Sequence, residues 1–161
     1  MSYVLDSMVG KEVSFIHYGY RETGTIARIA SGIVHMTDGR WLHLQSILDT
    51  FTQAYLECAL WSSTGDDGEP LDDDHDVSDI ADECIAQAME DCNDFQTANA
   101  DDLAELDASQ AGHDFWLTRN GHGAGFWDRG LGELGQRLTA ASKAYGECYL
   151  YVGDDGKIYC Q

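Results

Sequence analysis

Six residues between His113 and Arg129 carry side chains that could do chemistry together: His113, Asp114, Arg119, His122, Asp128 and Arg129. Imidazole titrates near neutrality and guanidinium holds oxyanions, so such a set could support general acid/base or phosphoryl chemistry. The same span carries Phe115, Trp116, Phe126 and Trp127 around the Gly-rich stretch Asn120 to Ala124. Aromatic burial, Arg–Asp pairing and glycine turns account for these residues without any reaction. No Ser/His/Asp spacing, phosphate-binding glycine loop or H-E-x-x-H helix stands beside them. The pattern therefore assigns no catalytic residue and predicts a protein that is not an enzyme, with a His/Asp/Arg-dependent hydrolase as the weaker alternative.

A second group has more residues and one sign. Between Phe51 and Gln110 the chain has eighteen carboxylates and no Lys or Arg, which supplies −18 of a net charge of −20. Read as a helix, residues 83–106 place Ile85, Ala88, Met89, Cys92, Phe95, Leu103 and Leu106 on one side. Glu83, Glu90, Asp94, Asp101 and Glu105 fall on the other, flanked by Asp91 and Asp102. A continuous helix would carry this stripe over roughly 33 Å, with Thr97 to Ala100 a place for it to break. A solvated helix face is the bland reading. Against it, no Lys or Arg stands four residues away from these acids, and like charges at that spacing repel. A one-signed array of this kind resembles a nucleic-acid backbone and fits a basic groove built for DNA or RNA.

A third group, Asp72, Asp74, Asp76, Ser78 and Glu83, has the spacing of an EF-hand-like Ca²⁺ loop. Val77 stands where the sharp turn needs Gly, and Asp79 where an apolar residue belongs. No metal or other cofactor is assigned. The five cysteines form no C-x-x-C pair, which fits thiols used as core residues in a reducing cytosol; Cys84 and Cys92 lie near the apolar face of their helix.

The elements that must position these groups fall into three zones. In residues 1–48, Val13–Tyr18, Thr25–Ile29, Ile33–Met36 and Trp41–Leu44 read as strands, with turns about Gly19, Ser31-Gly32 and Asp38-Gly39. Four short strands predict a small SH3-like β-barrel. Residues 49–61 read as a helix, with Phe51, Ala54, Tyr55, Cys58 and Trp61 recurring at its spacing. Residues 62–79 read as a mobile acidic loop, and Ser78 as the N-cap of the next helix. Residues 113–118 and 125–128 read as a hairpin, 136–145 as a helix ended by Gly146, and 149–152 with 157–159 as a closing hairpin. The expected class is α+β: the barrel over 1–48, then an acidic α+β domain over 49–161.

No apolar run is long enough to cross a membrane, and Met1 to Val13 lacks the basic and apolar regions of a secretory signal. The charge opposes direct contact with nucleic acid or an anionic membrane, because each phosphate contact needs a cation.

The stretch Ala111-Gly112-His113-Asp114-Phe115-Trp116-Leu117-Thr118-Arg119-Asn120-Gly121-His122-Gly123-Ala124-Gly125-Phe126-Trp127-Asp128-Arg129 resembles a block in small acidic proteins of tailed bacteriophages and prophages. Leu150 to Tyr159 resembles it as well, and the similarity runs from about Phe51 to the end. The resemblance implies phage origin and no particular reaction. With the charge, it leads to one expectation: an inhibitor of a host nucleic-acid-acting defence complex, of anti-CRISPR or anti-restriction type. Such an inhibitor would work in the host bacterial cytoplasm by presenting Glu83, Glu90, Asp91, Asp94, Asp101, Asp102 and Glu105 to a basic nucleic-acid-binding protein. A phage structural or scaffolding protein is the alternative.

Overall fold

A computed structural model of the chain describes Asp6, residues 8–18 and residues 20–161. Gly19, at the first expected turn, lies outside them, as do residues 1–5 and Ser7 of the stretch read for a secretory signal. The architecture is α+β. Strands β1 (Glu12–His17), β2 (Tyr20–Ala30), β3 (Ile33–Met36) and β4 (Trp41–His43) form an antiparallel sheet in sequential order. A register shift between Ile26 and Arg28 bulges β2, which bends a strand and increases its twist. Phe15, Ile26, Ile29, Val34, Met36 and the following Leu44 are buried. The Asp38-Gly39 turn works as expected: Gly39 takes a φ of 91°, and Arg40 ties Asp38 to Glu22.

Helix α1 (Thr50–Ser62) starts where Asp49 accepts a hydrogen bond from the Thr52 amide at 2.7 Å. Helix α2 spans Asp82–Ala98, a one-turn helix α3 Ala100–Leu103, α4 Ala108–Arg119 and α5 Gly132–Lys143. Strands β5 (Leu150–Val152) and β6 (Ile158–Cys160) close the chain as an antiparallel hairpin. Side chains of the sheet and of the helices join one buried cluster, with Phe51, Phe95, Phe115 and Phe126 at its aromatic centre.

Two expectations fail here. Residues 113–118 are helical, and 126–128 form a 3₁₀ turn, so there is no hairpin at His113–Asp128. Helix α4 is wedged into the core: Ala111, Gly112, Asp114, Phe115, Trp116, Leu117, Thr118 and Arg119 are all buried. A helix buried nearly all round shows no 3.6-residue period, and its aromatic and β-branched residues imitate a strand. Gly112 allows this packing, because a Cβ there would stand 2.2 Å from the Phe51 carbonyl oxygen.

Ser78 does not cap α2. Asp76 caps a 3₁₀ turn over Val77–Asp79, and α2 begins three residues later than expected, with Ala81 at the N-cap position. Ile80 bridges Ile158 in parallel, and the Ala81 amide donates to the Ile158 carbonyl at 2.8 Å. This tertiary strand contact holds residues 80–81 extended and delays the helix. The stripe helix breaks within Thr97 to Ala100, the place the sequence offered for it. It ends at Ala98, where the Asn99 side chain donates to the Phe95 carbonyl at 2.8 Å. Among the described residues no helix is long and apolar enough to cross a membrane.

Candidate functional site

Helix α2 turns Cys84, Ile85, Ala88, Cys92 and Phe95 into the core, as its period dictates. The opposite face carries Glu83, Glu90 and Asp94, all exposed, over roughly 16 Å of continuous helix. Asp101 and Glu105 are exposed as well, but beyond the break at Asn99. None of these five carboxylates has an ion-pair partner among the described residues.

The two flanking acids behave differently. Asp91 accepts from Arg119 Nη1 at 2.8 Å and from Gln87 at 2.9 Å. Arg119 also donates to Tyr55 Oη and to the carbonyls of Gly146 and Tyr145. Asp91 is thereby a structural partner of a buried cation. Asp102 takes both nitrogens of a bidentate contact from Arg137, at 2.6 and 2.9 Å. That contact holds its carboxyl below the usual carboxylate range. Asp91 and Asp102 are the only ones of the eighteen carboxylates paired with Lys or Arg among the described residues.

The acidic loop is organised rather than featureless. Gly65 and Leu71 amides donate to the Glu69 and Ser63 carbonyls, closing a turn. Leu71 and Val77 are buried and pin the loop to the body. Asp76 accepts from the Ser78 amide and hydroxyl, which lowers its pKa, while its own amide donates to Asp79. The EF-hand-like set is therefore dispersed: Asp76 is spent on a cap, and Glu83 sits on α2. No group of three or more His, Cys, Asp or Glu that could hold a metal ion occurs among the described residues.

The His/Asp/Arg cluster divides in two because α4 is a helix. Arg119 faces α2, whereas His113, His122 and Arg129 line a cleft of about 860 Å³ between α1, α4 and residues 122–129. Behind Arg129, the buried Asp114 accepts from its Nε and Nη2 at 2.8–3.1 Å. Asp128 lies 3.7 Å from the Arg129 Nε while accepting from the Gly125 amide. Three further residues complete the cleft that the sequence reading did not group with these: Glu57, Trp61 and Asp72. Trp61 shares its helical spacing with Phe51, Tyr55 and Cys58, yet it is 61% exposed and they are buried. A Glu–Trp pair at i, i+4 on α1 was the available signal. Cys58 is also in the wall, but burial pushes its thiol up to about 12, so it holds no thiolate near neutral pH.

Comparison of the chain with protein-family models, with curated proteins and with solved structures finds no match.

Proposed function

We propose that the chain is a phage-encoded inhibitor of a host nucleic-acid-acting defence complex, binding its basic nucleic-acid surface by negative-charge mimicry in the host cytoplasm. One observation carries this reading. Glu83, Glu90, Asp94, Asp101 and Glu105 are exposed and have no cationic partner among the described residues, in a segment of sixty residues without Lys or Arg. Unpaired charge of one sign repels itself and is a cost to folding unless a partner neutralises it. In this reading the four-stranded sheet is an SH3-like accessory module over 1–48, and residues 49–161 meet the target.

Affinity capture from the infected host tests it. A DNA- or RNA-binding complex should co-purify, leave on addition of competing nucleic acid, and bind less tightly as salt rises. The triple variant E90K/D94K/D101K should lose the complex while staying folded. Capture of virion proteins alone would overturn the reading in favour of a structural component. A second reading, hydrolysis, is favoured by His113, His122 and Arg129 lining a single cleft. It requires an activity that H113A and H122A abolish and the triple variant leaves intact.

A further inference from the structure

We propose that the cleft beside Trp61 and the acidic loop bordering it form a docking groove for a Lys/Arg-rich segment of the partner, with one cationic side chain seated against the Trp61 indole. This rests on the charge-mimicry reading and places part of the contact away from the α2 stripe.

Shape is the first support. The cleft of about 860 Å³ adjoins a second hollow of about 650 Å³, and Glu57 and Asp72 line both. The second hollow is walled further by Gln53, His75 and Asp76, so acceptors continue along the loop. An extended chain crossing that shared wall would meet Glu57 and Asp72 there and Asp76 beyond them.

The chemistry of the wall is the second. Glu57 stands one helical turn before Trp61, which puts a carboxylate and an exposed indole on one face of α1. Gln53 occupies one Glu57 oxygen at 2.7 Å, and Asp72 makes no side-chain hydrogen bond among the described residues. An exposed indole beside carboxylates that have no cationic partner among the described residues is a receptor for ammonium or guanidinium.

The local charge decides against an anionic ligand. Among the described residues Arg129 is the only Lys or Arg lining the cleft, and Asp114 and Asp128 already neutralise it. Glu57 and Asp72 add two carboxylates to that pair, a formal −3 in and behind the wall with both histidines neutral. A phosphate entering here would meet that excess as well as the field of the acidic segment.

The probe is an octa-arginine peptide, titrated into the full chain at physiological salt while the indole N–H signal of Trp61 is followed by NMR. That signal, assigned with Trp61→Leu, should shift, and W61L should weaken binding about threefold. Glu57→Gln with Asp72→Asn should cost more affinity than Glu90→Gln with Asp94→Asn, although each pair removes two charges. All five side chains are exposed, and circular dichroism checks that each variant is folded. Equal losses from the two pairs, an unmoved Trp61 signal, or a shift produced instead by inorganic phosphate would overturn the groove. If host extracts yield no nucleic-acid-binding partner but the peptide still shifts Trp61, the mimicry reading falls and the groove stands.

Discussion

Around helix α4 every charge has been given a partner; on the outer face of α2 none has. Arg119 is buried against Asp91, Tyr55 and two carbonyls, and Asp114 is buried against Arg129. On the same helix as Asp91, Glu83, Glu90 and Asp94 stand in solvent without a cation among the described residues. Charge taken out of water must be paired or it destabilises the fold, so the paired set reports architecture. Charge left in water is free to vary, and a one-signed unpaired set is what an external partner can use. The contrast separates residues that the sequence placed side by side, since Asp91 and Glu90 are neighbours with opposite duties.

The contrast breaks most sharply at Arg119. Arg119→Met should leave Asp91 without its cation and the Tyr55 hydroxyl without the Arg119 donor, and cost about 3–5 kcal/mol. Thermal unfolding should then start about 10 °C lower. A Tm within a degree or two of the parent would show that the buried pair is not structural.

Gly112→Ala comes next. Its methyl would collide with the Phe51 carbonyl, and separating α1 from α4 should cost about 1–3 kcal/mol in urea unfolding. An unchanged urea midpoint would mean the two helices are less tightly apposed than they stand here.

The acid limb of stability sharpens the comparison. Hydrogen bonds from Arg137 and Ser78 depress the folded-state carboxyls of Asp102 and Asp76. A depressed carboxyl contributes stability above its unfolded-state pKa, near 4, and loses it as pH falls through the lower folded value. Asp102→Asn should therefore reduce Tm at pH 7 but converge on the parent at the acid end of a pH series. A constant offset at all pH values would point to lost packing rather than lost charge.

The smallest effect belongs to the free face. Glu90→Gln with Asp94→Asn should leave Tm unchanged or raise it slightly by easing repulsion, and added salt should erase the difference. A clear loss of stability would place these carboxylates in the paired class after all.

Legibility in the sequence followed the same division. The β segments were readable because Asp38-Gly39 and Ser31-Gly32 mark tight turns and short apolar runs lie between them. Helix α2 was readable because one face is wet, so Ile85, Ala88, Cys92 and Phe95 alternate with acids at helical period. Helix α4 was not, because Phe115-Trp116-Leu117-Thr118 are buried together and the period vanishes. Its start was marked all the same: Asp107 accepts from the Gln110 amide as an N-cap. The exposure of Trp61 was not legible for the converse reason. Its spacing matches the buried residues of α1, but its indole lies in the wall of the open cleft, and only neighbours decide which side chain is covered.

The sequence by itself determined the concentration of negative charge, the amphipathic course of α2 and the β character of the first fifty residues. Each of these depends on composition or on contacts between residues close in the chain. Tertiary structure alone decided which carboxylates stay free, because Arg119 and Arg137 reach Asp91 and Asp102 across 28 and 35 residues. It also gathered Glu57, Trp61, Asp72, His113, His122 and Arg129 around one cleft. No local rule brings such distant positions together; only the packing of α1 against α4 does.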